Sequence, residues 1–269
     1  MSNRSKRSSE SGQNIHTKPS AWKKAGPPLL AVLLTLVLWQ ACTAVFEVEP
    51  WLLPSPADIW NETLETYPRL WTHTVSTLQI AVGGFAAGTA CGLLLAVALH
   101  AVPKLREAVY PLIILSQNIP MIALAPLLVV WFGFGWLPKI LIISLVCFFP
   151  VLVSALQGFA YTDAAMMQYM RMIGANRRQM FRMLEWPSCL PHLFSGLKVS
   201  ATYSMMGAVV SEWLGAKRGL GMYIQMSQAS FETARIFSAI AVIVALSLAF
   251  FYGIGLLEKR MVHWNRRKE

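Results

Sequence analysis

Long apolar runs separated by short polar segments dominate the chain. A helix needs about twenty predominantly apolar residues to cross the hydrocarbon of a bilayer, and such runs fall at 27–46, 74–100, 108–131, 139–159, 192–214 and 234–257. The pattern predicts an all-α, polytopic membrane protein with six transmembrane helices. Within the second run Gly84, Gly88 and Gly92 recur at every fourth residue, which gives one face that another helix can approach closely. The third is interrupted by Pro111, Pro120 and Pro126, tolerated at depth where neighbouring groups meet the freed carbonyls. Pro120 also loosens the helix locally, because it cannot donate a backbone hydrogen bond. Residues 1–26 read as a disordered tail with almost nothing to bury, and 258–269 as a basic tail. The first run extends without a clear Ala-x-Ala site, so it reads as a retained span rather than a cleaved signal. Leu53-Pro54-Ser55-Pro56 and Asp58 predict a turn followed by a short surface helix, and 215–233 reads as a loop.

One stretch between the fourth and fifth runs does not suit hydrocarbon. From Asp163 to Pro191 it carries Arg171, Arg177, Arg178 and Arg182. Its apolar residues recur at helical spacing: Met166, Met170 and Ile173, then Met180, Phe181 and Leu184. Gly174 stands where a first short helix needs a left-handed terminal residue, and Asn176 is placed to cap a second. Pro187 and Pro191 are expected to stop that second helix and turn the chain. The stretch 163–187 therefore reads as a helix–Gly–helix element on the wet side of a membrane.

Composition agrees: 55% of residues are hydrophobic, 13% are charged and the mean hydropathy is +0.49, against about 25% charged in soluble domains. The net charge of +10 does not point to nucleic acid, because the basic residues form no single stripe. Seventeen of the 23 Lys and Arg lie in the two tails, the 101–107 loop and the 163–187 segment. The positive-inside rule places all four in the cytoplasm. Cys42, Cys91, Cys147 and Cys189 are far apart, with no metal-ligand spacing, and read as small core residues.

No catalytic pattern is visible. The sequence lacks a Gly-x4-Gly-Lys-Ser/Thr phosphate loop, a His-Glu-x-x-His pair and a Gly-x-Ser-x-Gly elbow, so neither a cofactor nor a metal site is expected in this chain. Energy for moving a solute would come from a partner or from an ion gradient. Three polar spots inside the apolar runs are candidates for a solute pathway. Ser116, Gln117 and Asn118 lie midway along the third run; unpaired amides in hydrocarbon cost several kcal/mol, so they either line a wet path or bind helices together. Tyr203 and Ser204 are a second spot. Glu212 is the third, an intramembrane carboxylate that is a functional candidate or a partner of Lys217 or Arg218.

The spacing from Gly174 to Pro187 resembles the cytoplasmic signature of binding-protein-dependent ABC permeases, Glu-Ala-Ala-x3-Gly-x9-Ile-x-Leu-Pro. Gly174, Leu184 and Pro187 hold their places, whereas Gln168, Tyr169 and Met170 stand for Glu-Ala-Ala and Trp186 for Leu. The resemblance implies that Gln168, Tyr169, Met170, Arg171, Gly174, Ala175, Leu184 and Pro187 belong to a coupling helix that docks on an ATPase subunit. The run IPMIALAPLLVVWFGFGWLPK (119–139) and Leu53-Pro54-Ser55-Pro56 are similar to segments of the nitrate/sulfonate/taurine-type permeases. Phe194–Lys198, Ala201–Tyr203, Glu212–Ala216 and Gly219–Gly221 are most similar to the branch that imports thiamine-precursor pyrimidines, with riboflavin permeases alike in these stretches. The family implies a type I importer fold in a bacterial inner membrane and a homodimer. It also implies a partner ATPase that uses ATP-Mg, and an extracytoplasmic solute-binding protein. A secondary transporter or channel needing no ATPase accounts for the spans but not for the Gly174–Pro187 spacing. A membrane-embedded enzyme would need a nucleophile–base or metal-ligand pattern.

Overall fold

The computed structural model describes residues 21–263, so residues 1–20 of the predicted first tail and 264–269 of the second lie outside the described residues. The chain divides into two compact units, Met1–Val48 and Glu49–Glu269. In the first, a single helix, α1, runs from Ala21 to Val45 and takes up the end of the predicted tail. Thr35 and Thr43 donate their hydroxyls to the carbonyls of Ala31 and Gln40, at 2.9 Å and 3.0 Å. These two hydroxyls are thereby satisfied within the helix itself, as hydrocarbon demands.

The second unit is built of helices, with no strand among its described residues. Its elements are α2 (Pro56–Glu65), α3 (Tyr67–Ala101), α4 (Pro103–Gln117), α5 (Met121–Phe132), α6 (Trp136–Ala160), α7 (Ala164–Met172), α8 (Arg177–Met180), a π-helical turn Phe181–Glu185, α9 (Trp186–Glu212), α10 (Leu220–Ala229) and α11 (Thr233–Met261). Helix α6 is the axis, packed between α3 and α9; α11 lies along α9, and α2 and α10 lie against α11. Four helical segments are long and apolar enough to cross a membrane among the described residues: Gly26–Val45, α3, α6 and α11.

Small residues make the α3–α6–α9 sandwich thin. The predicted glycine face of α3 meets α6: a Cβ at Gly92 would fall 2.7 Å from the Phe148 carbonyl, and one at Gly88 would fall 2.9 Å from Cys147 Cβ. On the other side of α6, Gly158 faces Cys189 and Gly196 faces Ser154, both on α9 contacts. Ser200 donates to the Cys147 carbonyl at 2.8 Å. Leu152, Ala155, Leu156, Phe159, Leu193 and Phe194 fill the core between these helices. Cys147 and Cys189 are core residues, but Cys42 and Cys91 are exposed. Val244, Leu248, Tyr252 and Leu256 of α11 stand half exposed or more, an outward apolar face that suits hydrocarbon better than water.

Local chemistry accounts for the shorter elements. Ser55 caps α2 in a reciprocal box with Asp58 and Pro56 opens the helix, so the predicted turn and surface helix are both present. The third apolar run forms two helices, α4 and α5, joined by Asn118-Ile119-Pro120. Pro120 takes an extended ψ of 117° at the start of α5, and it biases the residue before it away from helix. Two readings are corrected. The stretch 215–233 is not simply a loop, since it contains α10. Nor do Pro187 and Pro191 stop the second short helix: α8, the π turn and α9 run on without a break, with Pro191 inside α9. Trp186 N–H bonds to the Phe181 carbonyl five residues back, and this wider turn leaves room for a proline ring that would break a regular helix.

Candidate functional site

A groove runs along the face of α6 between α5 and α9. Its larger part, about 450 Å³, is lined by Gln117, Met121, Phe149, Pro150, Val153, Ser154, Val199 and Tyr203. A second part of about 270 Å³ shares Met121, Val146 and Tyr203 and continues past Ile142, Met206 and Gly207. Such dimensions match small-molecule sites, which are mostly apolar with a few placed polar groups. Gln117 and Tyr203, separate in sequence, thus come together, with Tyr203 45% exposed. The gap between α4 and α5 gives Gln117 its place at a helix end.

The other predicted pathway residues point elsewhere. Ser116 donates to the Ile113 carbonyl at 2.8 Å, and Asn118 folds back to the Ile114 carbonyl at 2.9 Å. Ser204 is fully buried and donates to the Ala201 carbonyl at 2.8 Å. Glu212 is also fully buried, and neither Lys217 nor Arg218 is its hydrogen-bond partner. Thr77 of α3 donates to Oε1 and Gly221 N–H donates to Oε2, both at 2.7 Å. The Thr77 hydroxyl oxygen in turn accepts from Leu220 N–H at 2.7 Å, and His73 Nδ1 lies 3.1 Å from Gly219 N. Glu212 therefore ties the end of α9 and the start of α10 to α3. Its carboxylate occupies the place a side chain at Gly219 would need.

The 163–187 segment projects a second surface. Asp163 accepts from Ala165 N–H at 2.8 Å and caps α7; Asn176 and Gln179 form a reciprocal box around α8. Gly174, between them, has φ +80°, and nothing would meet a Cβ there. Gln168, Tyr169, Arg171 and Gly174 are exposed, whereas Met170, Ala175, Leu184 and Pro187 are partly covered. Met172, Ile173 and Met183 are 61% to 78% exposed beside Arg177, Arg178 and Arg182. Met183, Arg178 and Arg182 line one shallow pocket with Asn176 and Gln179, so apolar and cationic side chains stand together there.

Sequence reasoning missed the apolar groove wall, Thr77 and His73 around Glu212, and a pair between His100 and Glu185. Lys198 of α9 is paired with Glu258 of α11. The signal for the His73, His100–Glu185 and Lys198 contacts was a scatter of single ionisable residues at the margins of apolar runs, whose partners lie far away in sequence.

Comparison with known proteins gives these surfaces a context. Residues 88–263 match the family described as binding-protein-dependent transport system inner membrane component. The chain is 34% identical over 242 residues to the formylaminopyrimidine transport permease ThiX of Halalkalibacterium halodurans, covering 90% of this chain and 96% of that one. It is 34% identical over 245 residues to the riboflavin transport system permease RibX of Chloroflexus aurantiacus, covering 90% and 91%. To the taurine permease TauC of Escherichia coli it is 29% identical over 243 residues, covering 88% of each. In fold it is similar to an amino acid ABC transporter chain, with TM-score 0.62 at 15% identity, covering 74% of this chain and 97% of that one. A chain of the inward-facing MetNI methionine ABC transporter gives TM-score 0.60 at 19% identity over the same shares. The helical architecture and the match over nearly the whole chain make this protein a member of the binding-protein-dependent transport family, a permease of an ABC importer.

Proposed function

We propose that two copies of this chain form the membrane path of an ATP-driven importer for a thiamine-precursor pyrimidine in a bacterial inner membrane. In this reading both termini and the 163–187 segment are cytoplasmic. An ATPase subunit, which alone binds ATP-Mg, docks on Gln168–Arg171, Gly174, Ala175, Leu184 and Pro187. An extracytoplasmic binding protein delivers the solute to the opposite side. The observation that carries the reading is the exposed, doubly capped α7–Gly174–α8 element, which offers an apolar and cationic face outside the apolar spans. Closure of the ATPases would favour one of two arrangements of the spans through their different contacts with that face.

The solute reading is supported by the relative named for formylaminopyrimidine. Gln117 and Tyr203 in the groove suit a planar ring with an amide-like edge, since an amide reads hydrogen-bonding edges and a phenol ring stacks. Riboflavin is the second reading, favoured by equal identity to a riboflavin permease. The test is to purify the tagged chain from its native membranes with its ATPase and reconstitute both in liposomes. ATP hydrolysis is then measured with binding protein loaded with aminopyrimidine, riboflavin or taurine. Stimulation by the aminopyrimidine form alone is expected. Uptake by this chain without any ATPase would overturn the ATP-driven reading.

Gly174 gives a local prediction. Its positive φ costs a residue with a side chain about 1–2 kcal/mol, more for a β-branched one. Gly174→Val is therefore expected to distort the bend and lower solute uptake, while Gly174→Asn, which tolerates the left-handed region, stays close to wild type. Normal ATPase binding and uptake by the valine variant would remove the bend from the mechanism.

A further inference from the structure

We infer that His100 and Glu185 form a transmission joint that makes α3 and α6 follow the 163–187 segment when it moves. The inference rests on the coupling role proposed above. His100 stands in the last turn of α3 and Glu185 ends the π-helical turn. Their side chains are 18% and 14% exposed, and His100 Nε2 lies 2.7 Å from Glu185 Oε2. The imidazole stacks on Phe159 near the end of α6, with ring centres 4.3 Å apart and planes within 16°. Phe181, at the start of the π turn, packs at 5.9 Å from Phe159 and 6.1 Å from both His100 and Trp186.

The geometry connects three elements at one point. His100 and Glu185 are 85 residues apart in sequence, so the link between them is lateral, not along the chain. A π turn is a locally irregular place in a helix, often found at functional positions. A push on α8 can be absorbed there by rewinding the turn. The pair prevents this, because Glu185, the residue where the π turn gives way to α9, is held to the end of α3. The stacked imidazole also braces α6. Displacement of the segment then passes to two long helices instead of being lost in the turn. Neither residue lines the groove, so they act on the spans and not on the solute.

The test uses the full transporter in liposomes, with ATP hydrolysis and solute uptake measured in parallel. The readout is solute moved per ATP. His100→Leu is expected to lower it at least about fivefold, the small end of typical coupling between sites. His100→Gln, whose amide still donates to Glu185, is expected to keep the wild-type ratio. The His100→Leu/Glu185→Leu double variant is expected to be no worse than either single one, as two halves of one interaction should be. An unchanged ratio in His100→Leu, or an equal fall in His100→Gln, overturns the joint. If His100→Leu does not assemble, Glu185→Leu, which removes the acceptor, decides, with a lowered ratio expected and an unchanged one overturning the proposal. Failure of both to assemble makes the pair a fold determinant and overturns it as well. A wild-type complex that hydrolyses ATP without moving solute would instead refute the importer reading on which the joint depends.

Discussion

Gly88→Leu is expected to abolish stable folding of the second unit. The α3 and α6 backbones pass so closely at Gly88 that a single added carbon would fall 2.9 Å from Cys147 Cβ and closer still to the Ser144 carbonyl. One of these neighbours is backbone, so no rotamer change relieves the clash. The helices would have to separate, and the contacts at Gly84 and Gly92 on the same face would open with them. Overpacking a well-filled core costs about 1–3 kcal/mol, occasionally more, and here the lost packing along the stripe adds to it. Without a hydrophobic driving force between helices in lipid, close packing is what holds them together. Gly83→Ala is the control, since its Cβ would meet only Ile140 Cδ1, at 3.8 Å. The yield of monodisperse protein and its thermal midpoint in detergent should collapse for Gly88→Leu and hold for Gly83→Ala. Equal behaviour of the two would show that the glycine face does not set the approach of the helices.

Glu212→Leu is expected to destabilise the protein by about 1–3 kcal/mol, because the apolar side chain leaves the buried Gly221 N–H without its acceptor and such a loss costs about 1–3 kcal/mol. The damage should concentrate at α10, whose first turn depends on that carboxylate. Glu212→Gln should cost much less. Its carbonyl can accept from Gly221 N–H, and its amide can donate to Thr77. The Thr77 hydroxyl can then turn to the His73 carbonyl, already 3.2 Å away. Thermal midpoints in detergent, with hydrogen exchange of the 219–229 amides, would order the three proteins as wild type, Gln, Leu. A leucine variant with wild-type protection of α10 would show that Glu212 does not hold that helix.

These two sites also mark what sequence could and could not convey. The glycine face of α3 was legible because it is periodic within one helix. The bend at Gly174 and the cap at Asn176 were legible for the same reason: both are satisfied by groups within three to five residues. The break after Asn118 was half legible, since Pro120 signals a missing donor but not that the chain forms two helices. Helix α10 was not legible. Gly219 at its start offers no side-chain cap, and the carboxylate that accepts from its first turn arrives from α9. Ser204 and Tyr203 are adjacent in sequence, yet one faces the core and the other the groove. Which face of α9 meets α6 is settled by the partner glycines and serines, not by the polarity of the two residues themselves.

The π turn gives the thirteen residues from Gly174 to Pro187 a second meaning. A regular helix advances about 1.5 Å and rotates about 100° with each residue. The extra residue accommodated at Phe181–Glu185 therefore sets the angular phase of α8 against α9 far more than its distance. Arg178 and Arg182 are clocked by it. Losing one residue here would shorten the segment trivially while swinging its cationic edge around by more than a quarter of a revolution. The spacing between Gly174 and Pro187 is in this sense an angle written as a length.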